Sequence, residues 1–282
     1  MSEEAAFVDF QNVWLAYNED LLAQNHFAVE EINLQAKQGE FIAIVGPSGC
    51  GKSTFMKLAT GLKMPSKGKI LIDGKPVTGP LKISGMAFQA PSLLPWRTTM
   101  NNVLLPLEIV EPYRSTFKSN RAEYEARARK LLQTVGLAGY EDKFPWQLSG
   151  GMQQRVSICR ALIHEPKLLL LDEPFGALDA FTREELWCIL RDLHAMQKFN
   201  VILVTHDLRE SVFLADTVYV MNKSPGRFVV KKHIEMPAPR DLEITYTPEF
   251  GDIAHELRGH IGSIRQATAN PITASTNTVA KV

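Results

Sequence analysis

The sequence predicts an α/β fold built around a buried parallel sheet, because three short apolar runs are each followed directly by polar or glycine residues. The runs occupy residues 41–45, 168–171 and 201–205. Strands that are covered on both faces are apolar throughout and do not alternate. In an open α/β sheet, ligands bind at the carboxyl ends of the parallel strands. The sequence therefore predicts a ligand site at one edge of the sheet.

Residues 46–53 follow the first run and read Gly-Pro-Ser-Gly-Cys-Gly-Lys-Ser, the complete GxxxxGK[ST] pattern of a phosphate-binding loop. The glycines allow a tight turn in which successive backbone N–H groups point at an anion. A helix is expected to begin at about Lys52, and its N-terminus also favours negative charge. A chance glycine-rich turn is disfavoured, because a strand is predicted before the pattern and a helix after it.

This loop predicts a nucleoside triphosphate site that also holds Mg²⁺. Lys52 is expected to reach the β- and γ-phosphates, and the Ser53 hydroxyl is expected to ligate the metal ion. The nucleotide-binding residues predicted in this segment are Gly46, Pro47, Ser48, Gly49, Cys50, Gly51, Lys52, Ser53 and Thr54.

The other two runs end in residues that suit nucleotide hydrolysis. Asp172 and Glu173 follow the four leucines. We expect Asp172 to hold Mg²⁺, directly or through water, and Glu173 to act as general base for the attacking water. Such a carboxylate pair can also be a helix-capping turn, but a phosphate loop in the same chain favours the catalytic interpretation. His206 follows the third run. An isolated histidine is usually structural, but the position of this one favours a γ-phosphate sensor.

A second glycine-rich segment, Leu-Ser-Gly-Gly-Met-Gln-Gln-Arg, occupies residues 148–155 and leads into a helix predicted over residues 152–161. Ser149, Gly150 and Gly151 offer a further row of free N–H groups at a helix N-terminus. The plainer interpretation is a loop before a capped helix. The chain nevertheless carries two phosphate-binding surfaces and a single phosphate loop. We therefore expect two copies to pair head to tail, with each nucleotide between the phosphate loop of one copy and Ser149 of the other.

Together these motifs resemble those of the ATP-binding subunits of ABC transporters, over about residues 7–235. The resemblance implies a P-loop NTPase (RecA-like) core with an antiparallel β subdomain and an inserted α-helical subdomain at about residues 90–160. It implies an ABC ATPase domain over residues 1–240, which hydrolyses ATP and uses Mg²⁺. The implied partners are a second ATP-binding subunit, taken to be identical, transmembrane permease subunits and, indirectly, a substrate-binding protein.

The resemblance also assigns roles to single residues. Tyr17 resembles the aromatic residue that stacks on adenine, with Trp14 as the alternative. Gln89 resembles the glutamine that links Mg²⁺ to the transporter contact, and Asp179 resembles the loop residue that communicates across the dimer. His206 matches the switch histidine. The implied catalytic residues are Glu173, His206, Lys52 and Gln89, and the implied metal ligands are Ser53, Gln89 and Asp172.

Composition bears on the class of protein and its compartment. The 31 Lys and Arg residues balance the 31 Asp and Glu residues, so there is no electrostatic case for nucleic acid. Three cysteines fit neither a metal cluster nor a disulfide framework, and they indicate a reducing cytosol. One of them, Cys50, lies inside the phosphate loop, and its alkylation is expected to block nucleotide binding.

No apolar run approaches the ~18 residues of a membrane span. The acidic N-terminus does not resemble a secretory signal. We expect a peripheral subunit on the cytoplasmic face of the inner or plasma membrane.

Two regions of the chain differ from the pattern of the family that it resembles. Residues 111–120 are expected to form an exposed loop. Residues 241–282 form a C-terminal extension that predicts one amphipathic helix followed by a disordered tail over 267–282. The helix is expected to pack on the main domain, with a partner-binding helix as the alternative. Its apolar stripe consists of Phe250, Ile253, Leu257, Ile261 and Ile264.

Two short motifs indicate the branch of the family. Residues 91–96, Pro-Ser-Leu-Leu-Pro-Trp, and residues 224–227, Ser-Pro-Gly-Arg, resemble the nitrate/sulfonate/taurine importer branch. Trp96 and the two leucines before it are expected where a membrane subunit docks, although Trp96 can also be a packing residue. The favoured function is the ATPase of an importer for a small anion or organic solute. The alternatives are a soluble ABC-type ATPase that acts as a conformational clamp and the ATPase of an exporter.

Overall fold

The computed structural model describes residues 6–223 and 225–269, with side chains to residue 266. The tail predicted to be disordered lies almost entirely outside the described residues. The strands are β1 (Val8–Leu15), β2 (Val29–Ala36), β3 (Phe41–Val45), β4 (Lys67–Ile72), β5 (Lys75–Pro76), β6 (Ser84–Phe88), β7 (Leu168–Asp172), β8 (Asn200–Thr205), β9 (Thr217–Asn222) and β10 (Arg227–His233). The helices are α1 (Glu19–Ala23), α2 (Lys52–Ala59), α3 (Thr99–Leu104), α4 (Tyr113–Thr116), α5 (Arg121–Thr134), α6 (Gly150–Leu162), α7 (Ala180–Gln197), α8 (Leu208–Leu214) and α9 (Pro248–Ala269).

The strands form two sheets. The larger has the order β10-β9-β3-β8-β7-β6, and every pair in it is parallel except β10 with β9. The smaller is antiparallel, with the order β2-β1-β4-β5. The predicted fold class, a P-loop core with an antiparallel β subdomain and inserted helices, is confirmed. The three apolar runs are the central strands β3, β7 and β8 of the larger sheet.

The central strands β3, β7 and β8 are buried on both faces of the larger sheet, which explains why their sequences do not alternate. Alternate residues of β3 divide between two apolar clusters: Ile42 and Ile44 pack with the antiparallel sheet and α2, whereas Ala43 and Val45 pack with the helices on the other face. The residues of β7 and β8 divide in the same way. A strand with apolar neighbours on both sides has no position for a polar side chain, and the site residues are therefore confined to the strand ends.

The helices α3 to α6 lie between β6 and β7 in the chain. They pack around an apolar cluster, here called the main cluster, that includes Leu104, Leu132 and Val156. The segment 111–120, expected to be a loop, contains the one-turn helix α4. Most of it is exposed, but Tyr113 and Phe117 pack against the main cluster, and the hydroxyl of Tyr113 donates to the His164 carbonyl at 3.0 Å. The expectation of an exposed loop missed these two aromatic anchors.

The C-terminal helix α9 packs on the domain through its apolar stripe, with Phe250, Leu257 and Ile264 buried in the main cluster. The connection before it is held by Arg240, which is buried and donates to the carbonyls of Phe213 and Ala215 at 3.1 and 3.0 Å. Among the described residues, no helix is long and apolar enough to cross a membrane.

Gly85 marks a close approach between β6 and α6. A Cβ atom added there would lie 2.0 Å from the carbonyl oxygen of Ala161, a contact that neither backbone can relieve without moving. We expect Gly85→Ala to lower the free energy of unfolding by about 3 kcal/mol, at the upper end of what overpacking costs.

Gly259→Ala is the matched control, because a Cβ there meets nothing within 4 Å and helix α9 gains a better helix former. Thermal or urea unfolding of both variants is the measurement. Equal stability of the Gly85→Ala variant and the parent would contradict the close packing of β6 on α6.

Candidate functional site

Four neighbouring parallel strands end at the same level of the sheet. The register pairs Val45 with Thr205, Val204 with Asp172, and Asp172 with Phe88. The residues that follow these ends therefore emerge side by side along one edge. They are the phosphate loop after β3, His206 after β8, Glu173 after β7 and Gln89 after β6.

The phosphate loop is held against the sheet by backbone contacts. Gly49 and Gly51 have φ values of 77° and 104°, in the left-handed region that glycine tolerates. Gly46 has no space for a side chain, because an added Cβ would lie 2.5 Å from the Met221 carbonyl oxygen. The Lys52 ammonium donates to the carbonyls of Gly46 and Pro47 at 2.9 and 3.2 Å and is thereby held within the loop. Helix α2 begins at Lys52, as predicted.

The acidic pair lies beside the loop. Glu173 has a positive φ of 48°, and its backbone N–H donates to the Val204 carbonyl of the neighbouring strand at 2.8 Å. Its Oε2 lies 3.3 Å from Nδ1 of His206. Burial raises the pKa of Asp172, the adjacent Glu173 raises it further, and the charge of Lys52 opposes both effects. Two carboxylates that repel each other beside a lysine form a suitable place for a cation and a phosphate.

Gln89 lies at the same edge as His206. A Cβ added to Gly176 would meet both, with Nε2 of Gln89 at 3.5 Å and Cε1 of His206 at 3.6 Å. Side chains from β6 and β8 therefore converge on the turn that follows Glu173. The predicted catalytic side chains Glu173, His206 and Gln89 meet at this edge.

A cavity of about 540 Å³ lies beside the loop, and its lining includes Tyr17, Lys52, Ser53, Thr54 and Glu173. The Tyr17 hydroxyl is hydrogen-bonded to Oγ1 of Thr54 at 2.7 Å, which holds the ring over the start of α2. Of the two aromatic candidates, Tyr17 lines this cavity.

Trp14, the alternative, packs edge-on against Phe27 and donates its Nε1–H to Asn12. Phe27 and Pro225 also line the cavity, and the sequence did not mark either as a nucleotide-site residue. Pro225 belongs to the motif at residues 224–227, which indicates the branch of the family. That motif alone does not predict that Pro225 lies beside the phosphate loop.

Residues 148–155, here called the signature segment, lie outside the lining of this cavity. Ser149 caps α6 by accepting a hydrogen bond from the Met152 N–H. Gly150 is exposed with open space around it, whereas Gly151 is buried, and a Cβ there would lie 2.5 Å from Cγ2 of Thr182. Of the described residues, those that line the 540 Å³ cavity include none of the signature segment. The phosphate loop and the signature segment thus occupy separate surfaces of one chain.

The loop that carries Asp179 is tied to Asp207, the residue after His206. Asp179 caps α7 by accepting from the Thr182 N–H at 3.0 Å. Arg183, one turn further on, donates to the Leu178 carbonyl at 2.9 Å and pairs with Asp207 at 3.2 Å. Because Asp207 directly follows His206, Arg183 links the two loops. This link could not be predicted from the sequence, since an arginine on an exposed helix face occurs in the same local pattern.

Helix α6 also holds the chain on the two sides of Gln89. Gln154 donates to the Phe88 carbonyl at 3.0 Å, and Arg160 donates to the carbonyls of Pro91 and Ser92 at 2.7 and 2.9 Å. The signature helix and the Gln89 loop are therefore attached by side-chain bonds, in addition to the close contact of β6 with α6.

Beyond this segment, Trp96 is 71% exposed, so it is not a packing residue in this chain. Leu93 packs against the main cluster, and Leu94 is half-buried beside Asn102, which accepts from its N–H and donates to its carbonyl. Of the three residues expected at the docking surface, Trp96 alone is exposed; the leucines anchor the loop.

Cys50 lies on the core side of the phosphate loop. Its side chain is buried in the apolar cluster beneath the loop, and burial raises the pKa of the thiol. Since the thiolate is the reactive form, we expect alkylation of the folded protein at Cys50 to be slow. That alkylation of Cys50 blocks nucleotide binding stays a prediction; the structure adds that the thiol faces the core.

A phosphate loop in this α/β core, with acidic and histidine side chains at the ends of neighbouring strands and a separate signature helix, defines a nucleotide-binding cassette. The ABC transporter family model matches residues 29–176, about half of the chain. The chain belongs to the ABC transporter family as an ATP-binding, ATP-hydrolysing subunit.

Two curated relatives are similar over most of their length. The aliphatic sulfonates import ATP-binding protein SsuB of Bacillus licheniformis is 43% identical over 212 residues, which cover 75% of this chain and 79% of that protein. The taurine import ATP-binding protein TauB of Yersinia pestis bv. Antiqua is 41% identical over 222 residues, which cover 79% and 82%.

Solved structures of cassettes are also similar. The cbiO1 protein of Clostridium perfringens, part of the ABC transporter complex cbiONQ, has a TM-score of 0.72 and 26% identity, and the match covers 93% of this chain and all of that one. The ATP-binding cassette MJ0796, in a dimeric post-hydrolysis state bound to ADP and Pi, has a TM-score of 0.66 and 30% identity, with 82% of this chain and all of that one covered.

We expect Arg183→Ala to slow ATP hydrolysis about tenfold and to leave ATP affinity near that of the parent. The lost charge-assisted bond is worth about 1.5 kcal/mol, and a transition-state contribution of that size corresponds to about a factor of ten in rate. Steady-state hydrolysis and nucleotide binding are the measurements.

Arg209→Ala is the control, because it removes the same charge from a more exposed side chain whose nearest carboxylate, on Glu184, is 3.9 Å away. Hydrolysis that falls equally in both variants would mean that Arg183 acts through general charge and not through the link to Asp207.

Proposed function

We propose that two copies of this chain bind two ATP molecules with Mg²⁺ at shared sites, and that hydrolysis drives the import of a small sulfonate-like or related organic solute through membrane permease subunits. The observation that carries this proposal is the separation of the phosphate loop and the signature segment on one chain. A nucleotide held by the 540 Å³ cavity contacts the first surface only, and a second copy supplies the other.

Within one copy, the loop N–H groups and Lys52 hold the β- and γ-phosphates, and Tyr17 stacks on the base. Tyr17 is 43% exposed and lines the cavity, and its hydroxyl is hydrogen-bonded to Thr54. Lys57 and Lys63 lie 5.8 and 6.0 Å from the centre of the ring. These ammonium groups add positive charge around a site for a polyanion.

The donor set fits Mg²⁺. The hydroxyl of Ser53 and the carboxylate of Asp172 are hard oxygen ligands, and Mg²⁺ is typically bound by one or two such groups together with phosphates and water. The raised pKa of Asp172 arises from burial and from its acidic neighbour, and a bound cation would relieve that repulsion. Mg²⁺ neutralises charge on the phosphates when bound; Gln89 would complete its contacts.

Glu173 is the proposed general base. Its carboxylate stands at the end of β7, and the His206 ring 3.3 Å away limits where it can turn. In this arrangement Glu173 accepts a proton from the water that attacks the γ-phosphate, and His206 donates a hydrogen bond to the phosphate. The N–H groups of the signature helix in the second copy stabilise charge on the same phosphate.

The importer role is supported by the likeness to the two import ATP-binding proteins and by the exposed Trp96 on the segment held by α6. A membrane subunit that contacts Trp96 would also reach Gln89 and the signature helix through the bonds of Gln154 and Arg160. The proposed location is peripheral, at the cytoplasmic face of the membrane, with a substrate-binding protein as an indirect partner.

The Glu173→Gln variant tests the shared site. It keeps the shape of the side chain and removes most of its basicity, so hydrolysis should fall at least about a hundredfold. ATP binding should survive, and loss of the negative charge beside the γ-phosphate should favour an ATP-bound dimer. Light scattering with and without ATP, together with a hydrolysis assay, is the measurement.

The double variant Glu173→Gln, Ser149→Arg supplies the control. A bulky side chain at Ser149 would fill the space reserved for the phosphate held by the partner, so the ATP-dependent dimer should disappear. A dimer that persists in the double variant would contradict the role given to the signature segment. Near-normal hydrolysis by Glu173→Gln alone would remove Glu173 as the base.

Trp96→Ala tests the docking surface. Truncation of a central tryptophan in an interface costs about 2 kcal/mol or more, so transport by the assembled complex should fall while hydrolysis by the isolated subunit stays near normal. Met196→Ala, at an apolar residue of α7 that is equally exposed, is the control and should leave both activities unchanged. Normal transport by the Trp96→Ala complex would place the permease contact elsewhere.

A further inference from the structure

Residues 225–226, here called the 225–226 segment, lie between β9 and β10 and form part of the nucleotide cavity. Pro225 lines the cavity, as do Phe27 and Ala28 just before β2. These three side chains are apolar, whereas the loop side of the cavity carries Lys52 and Ser53. The apolar part therefore suits the nucleoside of a bound nucleotide and the loop side suits its phosphates.

The 225–226 segment is bound to the start of β2 through the backbone. The Glu30 N–H donates to the Gly226 carbonyl at 2.9 Å, and the Gly226 N–H donates to the Ala28 carbonyl at 3.1 Å. Val29 and Gly226 form a parallel bridge. The two stretches that supply Phe27 and Pro225 are thus one backbone unit.

This unit also rests on the phosphate loop. A Cβ added to Gly226 would lie 2.3 Å from the Cys50 carbonyl oxygen and 3.1 Å from Cγ1 of Val29. No side chain fits between the segment and the loop, so displacement of Gly226 would open a gap directly beside the cavity.

An ion pair fastens the unit from outside. The Arg227 guanidinium donates to Oε1 of Glu30 through Nε at 2.7 Å and through Nη2, and its Nη1 lies 3.6 Å from Oε2 of Glu31. Glu30 is buried, with 8% of its surface exposed, and a carboxylate so placed needs a hydrogen-bonded partner. Arg227 supplies that partner from the residue next to Gly226.

We propose that the Arg227–Glu30 ion pair is a latch that keeps Pro225 and Phe27 in the wall of the cavity, and that Arg227 is a positioning residue for the nucleoside part of the nucleotide. The proposal rests on the nucleotide site proposed above and adds a residue that sets how firmly ADP is retained. The ion pair contacts none of Lys52, Asp172 and Glu173, so the chemical step at saturating ATP should not depend on the latch.

Arg227→Ala is the first test. ADP affinity should fall about tenfold, the low end of what one lost apolar contact costs in a pocket. The KM for ATP should rise with it, and kcat should change less than twofold. Arg227→Lys restores one charge opposite Glu30 and should recover part of the affinity.

Lys232→Ala is the matched control. It removes a cation from the same strand, β10, by breaking the Lys232–Glu256 ion pair at 2.8 Å, and neither residue lines the cavity. ADP affinity should equal that of the parent. Tripolyphosphate, measured as a competitor of ATP hydrolysis, probes the loop side alone, and its inhibition constant should be the same in Arg227→Ala and the parent.

Pro225→Gly removes the ring from the wall while the ion pair remains, and it should also weaken ADP binding. If Arg227→Ala fails to fold, the ADP affinity of Pro225→Gly tests whether this wall of the cavity contributes to nucleotide binding. Unchanged ADP affinity in Pro225→Gly and in any folded Arg227→Ala would overturn the latch. An equal loss of ADP affinity in Lys232→Ala would also overturn it. So would an equal loss of tripolyphosphate binding in Arg227→Ala. If the parent itself binds no ADP, the proposed function fails and not the latch alone.

Discussion

Parallel register between four neighbouring strands is the constraint on which the rest of the structure depends. Because β3, β8, β7 and β6 end at one level, the residues that follow them meet without long side chains or long loops. A shift of one residue in any pair would turn buried side chains to the opposite face and move the strand end by about 3.3 Å. Such a shift would separate Glu173 from His206, which are now 3.3 Å apart.

The edge is coupled to two other surfaces by side-chain bonds. Arg183 connects the Asp179 loop to the residue after His206, and Gln154 and Arg160 connect the signature helix to the chain on the two sides of Gln89. These bonds end on backbone carbonyls or on a capping carboxylate, so they fix the path of the main chain and not only a side chain. A partner on either surface can thereby act on the nucleotide site through loop positions.

Much of this could be predicted from the sequence, because glycine-rich loops and uniformly apolar strands leave local signals. The start of α2 at Lys52 and the strand before it follow from a few adjacent residues. Pro225 could not be predicted as part of the cavity, since its position depends on pairing between residues 28–30 and 226, almost 200 residues apart. Arg183 was missed for a similar reason: an arginine one turn into a helix is common, and its meaning comes from Asp207 on another element.

The burial of Cys50 shows that a local motif does not predict the direction of every side chain in it. The loop motif fixes the backbone but leaves open which side chains face the ligand and which face the core, and that choice depends on the cluster beneath it. The same uncertainty applied to Leu93 and Trp96. They are near neighbours in one loop, but the Leu93 side chain packs on the main cluster and the Trp96 side chain is exposed. Local pattern determines the path of the chain better than it determines the direction of each side chain.

Completion of each site by a second copy is the central claim, and mixing two inactive variants tests it most directly. Lys52→Ala damages the phosphate loop and Ser149→Arg damages the signature, and each homodimer should be inactive. In a mixed dimer, one site carries both lesions and the other carries none, so a one-to-one mixture should regain about a quarter of the parental ATP hydrolysis if the copies exchange freely. If each copy instead completes its own site, every site in the mixture is damaged, and hydrolysis that stays at the level of the separate variants would contradict the shared site.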